Sequence, residues 1–349
     1  MEKLLLLGDE AIALGAIDAG LSGVYAYPGT PSTEITEFIQ ESKLARERGV
    51  RSEWCANEKT AMEAALGMSY AGKRSLYCCK HVGMNVAADC FMNAAITGAN
   101  GGMVVLAADD PSMHSSQNEQ DSRFYADFAL TLAMEPSNQQ EAYDMTRYAF
   151  DLSEQFELPV LMRVTTRMAH SRAGVERKEM RDQNAMHAPA DKMQYILLPA
   201  VARKRYKNLI EKQKDLVAAS ENSPFNRYID GENKKLGIIA CGIAFNYLME
   251  NFADRKCPYP VVKARTTKTR SSTASSRSSR NSTTSATKSS CSRKANHSTS
   301  VSSAACSTKA KPSTVAWTAP SAVTANSAQR ALPKRSACRL KRVSLFQNS

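Results

Sequence analysis

The composition of this 349-residue chain changes abruptly after Lys263. Residues 264–349 contain 16 Lys and Arg residues and no Asp or Glu, and 34 of these 86 residues are Ser or Thr. The preceding 263 residues hold 30 Lys and Arg against 34 Asp and Glu, so the formal net charge of +12 belongs entirely to the last segment. The apolar content that a folded core requires is concentrated in the earlier part.

Three interpretations of residues 264–349 stay open. We expect disorder, because so few large apolar side chains cannot offset the conformational entropy of the chain. We favour an out-of-frame translation, since the change falls within a predicted strand at residues 259–263 and no domain boundary precedes it. The alternatives are a solvated linker and a basic arm that binds nucleic acid. Nucleic acid is the less expected partner, because base-stacking aromatic residues are nearly absent.

Several classes of protein are excluded by what the sequence lacks. No run of about 18 apolar residues occurs, so we predict no transmembrane helix and no membrane partner. The first ten residues have too short an apolar run for a secretory signal. The nine cysteines therefore do not indicate a disulfide framework, and we expect a reducing, cytoplasmic location. They include no C-x-x-C pair, and the chain has neither G-x-G-x-x-G nor a P-loop, which argues against a zinc, iron–sulfur, dinucleotide or nucleotide-hydrolysis site.

Short apolar runs alternate with helical patterns through the first 190 residues, which is typical of a mainly parallel α/β sheet. Helices are predicted from Gly8 to a closing glycine at Gly20, and from Glu58 to Tyr70. Thr30 is predicted to cap another helix, with Pro31 in its first position. Buried parallel strands are predicted at residues 4–7, 24–27, 75–79, 103–108 and 159–164.

The predicted domain organisation has four parts. Residues 1–190 form the first α/β domain, and residues 191–235 form a linker with a charged helix over 201–217. Residues 236–263 contain a strand and a helix that open a second α/β domain, which is cut short by the change in composition. Residues 264–349 are the Ser/Thr/Lys/Arg-rich segment.

Polar segments follow several of the predicted strands, at the edge where ligands bind in an open parallel sheet. Each segment also has a purely structural interpretation. Thr30 alone is explained as a helix cap, Glu58 as a first-turn acid stabilised by the helix dipole, and His81 as a loop histidine with its hydrogen bonds satisfied. Asp109 and Asp110 can simply form a turn. The order of the segments along the chain nevertheless favours a shared cleft.

Taken together, these segments resemble the 2-oxoacid:ferredoxin oxidoreductases, and within them the alpha subunit of the indolepyruvate branch. The resemblance extends through residues 198–200 and 239–247 and stops near Lys263. The motifs that carry it are Gly-Asp-Glu-Ala-Ile-Ala at 8–13, Ala-Tyr-Pro-Gly-Thr-Pro-Ser-Thr-Glu-Ile at 26–35, Asn-Glu-Lys at 57–59, Lys-His-Val-Gly-Met-Asn at 80–85, Ala-Asp-Asp-Pro at 108–111 and Ser-Ser-Gln-Asn-Glu-Gln-Asp-Ser-Arg at 115–123.

The resemblance implies that residues 1–190 are a domain that binds the pyrimidine end of thiamine diphosphate. Glu58 matches the family's catalytic glutamate, which hydrogen-bonds a pyrimidine ring nitrogen and promotes removal of the thiazolium C2 proton. Glu63, a turn and a half further along, is the alternative. The resemblance assigns Pro28, Gly29 and Thr30 to substrate binding, and Lys80, His81, Gly83, Asn85, Asp109 and Asp110, together with Glu58, to cofactor binding.

The implied reaction converts arylpyruvates such as indolepyruvate to aryl-acetyl-CoA and carbon dioxide, with coenzyme A as co-substrate and ferredoxin as electron acceptor. A beta subunit is the implied partner. The family's Mg²⁺ ion and 4Fe–4S clusters are held by later regions whose ligands are not found in this sequence. We therefore expect this polypeptide to be inactive alone. The alternatives are a non-catalytic interaction protein with a nucleic-acid-binding tail, and an NAD-dependent enzyme, which lacks its glycine fingerprint here.

Overall fold

The computed structural model describes residues 3–268 of the chain. The expectations for residues beyond 268, including an out-of-frame origin and nucleic-acid binding, lie outside this part. Residues 3–268 form twelve strands: β1 (Lys3–Leu7), β2 (Gly23–Ala26), β3 (Arg51–Trp54), β4 (Ser75–Lys80), β5 (Met103–Asp109), β6 (Ala133–Met134), β7 (Val160–Thr165), β8 (Arg172–Glu176), β9 (Arg227–Ile229), β10 (Ile238–Cys241), β11 (Val261–Ala264) and β12 (Thr266–Thr267).

The same residues form ten α-helices and two short 3₁₀ turns. The helices are α1 (Gly8–Asp18), α2 (Thr33–Glu41), α3 (Lys43–Glu47), α4 (Glu58–Tyr70), α5 (His81–Thr97), α6 (Arg123–Phe128), α7 (Gln139–Phe156), α8 (Thr166–His170), α9 (Pro199–Glu221) and α10 (Ala244–Glu250). None of these helices combines the length and the apolar character that a membrane crossing requires.

Seven strands form the central sheet in the order β12–β6–β7–β5–β4–β2–β3. Every neighbouring pair is parallel except β12 and β6, which run antiparallel. All residues of β5 and β7 are buried, as expected for central strands covered on both faces. The predicted mainly parallel α/β fold is confirmed.

Helix α4 begins and ends at the predicted residues because both ends carry strong local signals. The Asn57 side chain accepts a hydrogen bond from the backbone N–H of Thr60 at 3.0 Å, which caps the first turn. Gly72 adopts a left-handed backbone with φ +83° just beyond the helix, a conformation that favours glycine. Glu58 is thereby held in the first helical turn.

Helix α1 packs closely against α7. A Cβ atom on Gly15 would lie 2.6 Å from the carbonyl oxygen of Tyr143, so only glycine permits this approach. The Tyr143 hydroxyl donates to the Asp18 carboxylate at 2.8 Å, and Arg177 donates to the same carboxylate at 2.7 Å. These contacts bury the C-terminal half of α1, and Asp9 in its first turn is also fully buried.

The prediction that residues 4–7 form a buried parallel strand is wrong in its pairing. Strand β1 pairs antiparallel with β8 in a separate two-stranded sheet. Leu6 is buried, whereas Leu5 is 67% exposed, because one face of this small sheet is open to solvent. A continuous apolar run does not distinguish such a strand from a central one, since pairing depends on a segment about 170 residues later.

A third sheet has three strands in the order β10–β11–β9. Strands β10 and β11 are parallel, as expected for an opening β-α unit, and β9 pairs antiparallel with β11. Strand β9 lies within residues 191–235, where we predicted only a helical linker. A small hydrophobic core beside this three-stranded sheet contains Ala240, Leu248 and Val261.

We expected disorder from residue 264 onward, and this prediction is wrong for residues 264–268. Ala264 ends β11, and β12 is the edge strand of the central sheet. The side chain of Arg265 is fully buried and donates through Nε to the Glu141 carboxylate at 2.9 Å. Backbone pairing and a buried ion pair thus compensate for a local sequence that is almost entirely polar.

Candidate functional site

The carboxyl ends of neighbouring parallel strands bring the predicted site segments to one edge of the sheet. In the strand register Lys80 lies opposite Ala108, and Asp109 lies opposite Thr165. Strand β2, which precedes the Pro28 turn, is the next neighbour of β4. The segments after β2, β4, β5 and β7 therefore meet at this edge, as open parallel sheets require.

The turn after β2 is closed by its own hydrogen bonds. The backbone N–H of Gly29 donates to the Thr33 hydroxyl at 3.0 Å, and the Ser32 hydroxyl donates to the Gly29 carbonyl at 2.8 Å. Helix α2 consequently begins at Thr33, and Ser32 occupies the cap position. The prediction that Thr30 caps this helix is wrong. Thr30 and Pro28 are exposed, and within residues 3–268 no hydrogen bond occupies the Thr30 hydroxyl.

Lys80 connects this turn to the loop after β5. A Cβ atom on Gly29 would lie 3.1 Å from Cδ of Lys80, so the absence of a side chain on Gly29 leaves room for the lysine. The Lys80 ammonium group then donates to the carbonyl oxygen of Ser115 at 2.8 Å. Three of the segments are joined through this single side chain.

Glu58 lies against the first turn of α5. A Cβ atom on Gly83 would lie 2.8 Å from Cγ and 2.9 Å from Oε1 of Glu58, so only glycine allows this contact. Glu58 is half-buried, and in the described part of the chain its carboxylate accepts no hydrogen bond and forms no ion pair. Glu63, the alternative glutamate, is exposed and pairs with Lys59 at 3.9 Å.

His81 is the first residue of α5 and is fully buried. Its Nε2 atom lies 2.8 Å from the carbonyl oxygen of Asn118, while Nδ1 has no hydrogen-bond partner in the described part of the chain. Asn85, one turn later, is exposed and accepts a hydrogen bond from the hydroxyl of Tyr125. Both side chains therefore contact the 111–128 region that follows β5.

Asp109 and Asp110 anchor the loop after β5, and their assignment to cofactor binding stays a prediction. The Asp109 carboxylate is fully buried and accepts from Ser122 Oγ and from Arg163 Nε, both at 2.5 Å. The Asp110 carboxylate accepts from the backbone N–H of Ser115 at 2.8 Å and from the Thr166 hydroxyl at 2.8 Å. Their oxygens are used within the fold.

Arg163 lies at the centre of this anchoring network. Its guanidinium group also donates to Glu135 at 2.6 Å, so one buried cation compensates two buried carboxylates. Burial raises the pKa of Asp109, although Arg163 and Ser122 oppose the shift. Asp109 can therefore carry a negative charge inside the core only because it forms this ion pair.

Sequence reasoning missed Arg163 and gave no role to Ser115, Asn118 and Ser122. A signal for Arg163 was present, because a charged residue inside a predicted buried strand requires a buried partner. The loop residues gave no such signal, since two of them act through backbone carbonyl oxygens that any side chain type could supply.

The chain matches the family model described as pyruvate flavodoxin/ferredoxin oxidoreductase, thiamine diphosphate-binding, over residues 14–214. The chain belongs to this family. These proteins are 2-oxoacid:ferredoxin oxidoreductases, and the match lies in their thiamine diphosphate-binding domain, as the sequence motifs indicated.

Curated relatives in the family come from archaea. Indolepyruvate oxidoreductase subunit IorA of Methanothermobacter marburgensis is 44% identical over 264 residues, covering 75% of this chain and 42% of that protein. IorA of Thermococcus kodakarensis is 43% identical over 259 residues, covering 72% and 40%. The 2-oxoglutarate synthase subunit KorA of Methanothermobacter thermautotrophicus is 29% identical over 202 residues, covering 54% and 52%. The chain thus spans less than half the length of these IorA relatives.

A solved structure supports the fold. The 2-oxoglutarate:ferredoxin oxidoreductase from Magnetococcus marinus, with 2-oxoglutarate, coenzyme A and succinyl-CoA bound, matches with a TM-score of 0.62 and 17% identity. The match covers 75% of this chain and 54% of that chain. At this identity the likeness concerns the arrangement of strands and helices alone.

Proposed function

We propose that this chain supplies the pyrimidine-binding half of a thiamine diphosphate site in a 2-oxoacid oxidoreductase. The observation that carries the proposal is the placement of Glu58 against Gly83, with a carboxylate that has no partner within residues 3–268. A half-buried carboxylate of this kind is available to hydrogen-bond a ring nitrogen. Membership of a family whose matched domain binds thiamine diphosphate supports the same role.

When bound, thiamine diphosphate supplies the carbon nucleophile that attacks the keto group of a 2-oxoacid. Glu58 holds a proton at the pyrimidine nitrogen, and its position in the capped first turn of α4 keeps its backbone fixed. Lys80, His81, Gly83 and Asn85 line the neighbouring start of α5. The proposal gives Asp109 and Asp110 only the indirect role of holding the loop that contacts Lys80 and His81.

The substrate would be an arylpyruvate such as indolepyruvate, which rests on the names of the IorA relatives. Ferredoxin as acceptor, coenzyme A as co-substrate and a beta subunit as partner complete the proposal. Mg²⁺ and the 4Fe–4S clusters would be held by other parts of the assembly. A reducing, cytoplasmic setting is part of the same proposal.

The proposal is tested with the assembled oxidoreductase that carries this segment. Reduction of ferredoxin or a viologen dye is measured with indolepyruvate, pyruvate and 2-oxoglutarate, in the presence and absence of added thiamine diphosphate and coenzyme A. We expect the highest kcat/KM with indolepyruvate and no activity without thiamine diphosphate. Activity that is independent of thiamine diphosphate would refute the cofactor assignment, whereas a preference for 2-oxoglutarate would refute only the substrate.

Substrate binding at the turn Pro28–Gly29–Thr30 gives a separate prediction. Because Thr30 is exposed and does not cap α2, Thr30→Val is expected to leave the melting temperature unchanged. Loss of a hydroxyl that contacts the substrate carboxylate is expected to raise KM about fivefold, the value of one hydrogen bond. Thr30→Ser keeps the hydroxyl and serves as the control. An unchanged KM in Thr30→Val would remove Thr30 from the substrate site.

A further inference from the structure

Three ionisable side chains from three helices converge outside the proposed thiamine site. Asp9 lies in the first turn of α1, Glu34 in the first turn of α2, and His170 is the last residue of α8. One donor atom from each residue lies within 4.8 Å of the other two, and His170 Nε2 is 3.4 Å from Glu34 Oε1. The chain segments that supply them are far apart in sequence, so the tertiary fold assembles the cluster.

Asp9 is the most deeply buried member of this cluster. The residue is fully buried, and neither of its carboxylate oxygens has a hydrogen-bond partner within residues 3–268. Oε2 of Glu34 is also buried and unpartnered. Burial, followed by the charges of Glu34 and Glu10, raises the pKa of Asp9 well above its usual range. Unpartnered buried carboxylate oxygens are costly, and a cation between them would remove that cost.

We propose that Asp9, Glu34 and His170 form a binding site for one divalent transition-metal cation, with Mn²⁺ or Zn²⁺ as the fitting class. Carboxylate oxygens and an imidazole nitrogen bind such cations at about 2.0–2.2 Å, which places the donor atoms roughly 3–4 Å apart. The separation of 3.4 Å between His170 and Glu34 already meets this requirement. An Asp9 carboxylate oxygen lies within 4.8 Å of the donor atoms of both other residues.

The site has both a closed and an open side. Asp9 forms the closed side, whereas the side chains of Glu34 and His170 are each 35% exposed. His170 also lines a cleft of 670 Å³ together with Arg167 and Tyr247. The partial exposure of Glu34 and His170 leaves room for water molecules to complete the coordination of a cation.

Cation binding would restrain the position of α2 and of the turn before it. Helix α2 begins directly after the turn that contains Thr30, and it carries Glu34 in its first turn. A cation held by all three side chains would tie α2 to α1 and α8. Lys80 contacts this turn at Gly29, and the cation would hold the helix that follows the turn. The cation would do so without contacting the residues of the proposed thiamine site.

The experiment titrates Mn²⁺ into the metal-free full-length chain, with free Mn²⁺ followed by electron paramagnetic resonance and the melting temperature recorded in parallel. Mn²⁺ is the probe because the free cysteines would compete for Zn²⁺. We expect one bound Mn²⁺ per chain and a melting temperature that rises with Mn²⁺ concentration. Glu34→Gln and His170→Gln should each weaken binding at least tenfold while retaining the wild-type circular dichroism spectrum.

Glu37→Gln is the matched control, since Glu37 is exposed on the same helix and should leave Mn²⁺ binding unchanged. Failure of the wild-type chain to bind Mn²⁺ at this stoichiometry would overturn the proposal. So would wild-type affinity in both Glu34→Gln and His170→Gln. Asp9→Asn adds a second readout. Loss of the Mn²⁺-dependent rise in melting temperature supports Asp9 as a ligand, whereas a rise of wild-type size in Asp9→Asn would show that Asp9 does not bind the cation.

Discussion

Glu58→Gln in the assembled oxidoreductase is expected to lower turnover at least about a hundredfold, in the range that general acid–base groups supply. The amide retains the shape and hydrogen-bonding capacity of the carboxyl group, but it cannot take and return the proton that the pyrimidine nitrogen requires. The contact with Gly83 involves Cγ and Oε1 of Glu58, and glutamine fits the same space. The fold and the melting temperature should therefore be preserved.

The measurement that isolates this step is hydrogen–deuterium exchange at C2 of bound thiamine diphosphate. We expect exchange to slow in parallel with turnover in Glu58→Gln. Glu63→Gln, an exposed position on the same helix paired only with Lys59 among described residues, is the control and should exchange at the wild-type rate. Wild-type exchange in Glu58→Gln would show that another group promotes the proton transfer.

Arg163→Met is expected to destabilise the protein by about 3–5 kcal/mol, the cost of removing one partner from a buried ion pair. The change leaves the buried carboxylates of Asp109 and Glu135 without their shared cation. Because Asp109 also holds Ser122, the loop that contacts Lys80 and His81 should loosen as well. Urea unfolding followed by circular dichroism measures the loss of stability.

The control for Arg163→Met is Arg51→Met, which removes a surface pair with Glu53 at 2.8 Å. An exposed ion pair contributes little to stability because solvent screens it, so this variant should unfold near the wild-type midpoint. Adding Asp109→Asn to Arg163→Met should recover part of the stability, since it removes one uncompensated charge. Equal midpoints for the Arg163 and Arg51 variants would contradict the anchoring role.

The fold class followed from local sequence signals because those signals are themselves physical constraints. The apolar runs of β4, β5 and β7 require cover on both faces, and their alternation with helical patterns predicts a parallel sheet between helices. Asn57 and Gly72 place both ends of α4 to the residue, because capping acts within one helical turn. The position of Glu58 in the first turn of α4 follows from the cap at Asn57.

Local signals misled where several residues could satisfy the same requirement. Thr30 has the side chain of a helix cap. The hydrogen bonds among Gly29, Ser32 and Thr33 close the turn, however, so the helix begins only at Thr33. Asp109 and Asp110 follow a strand, where the sequence offers them to a ligand, and in the structure neighbouring donors bind their oxygens; their role toward the cofactor stays a prediction. Competition between nearby partners decides such cases, and it depends on distances that sequence spacing does not contain.

The sequence by itself determined the α/β class, the positions of the central strands along the chain and the family, and it named Glu58 as the candidate catalytic glutamate. Only the tertiary structure decided that β1 pairs with β8, that Arg265 is buried beside Glu141, and that Asp9 meets Glu34 and His170. Periodicity and capping act over a few residues, so they can be read along the chain. Pairing between residues more than a hundred positions apart depends on how the helices pack, because packing alone brings these groups together in a low-dielectric interior.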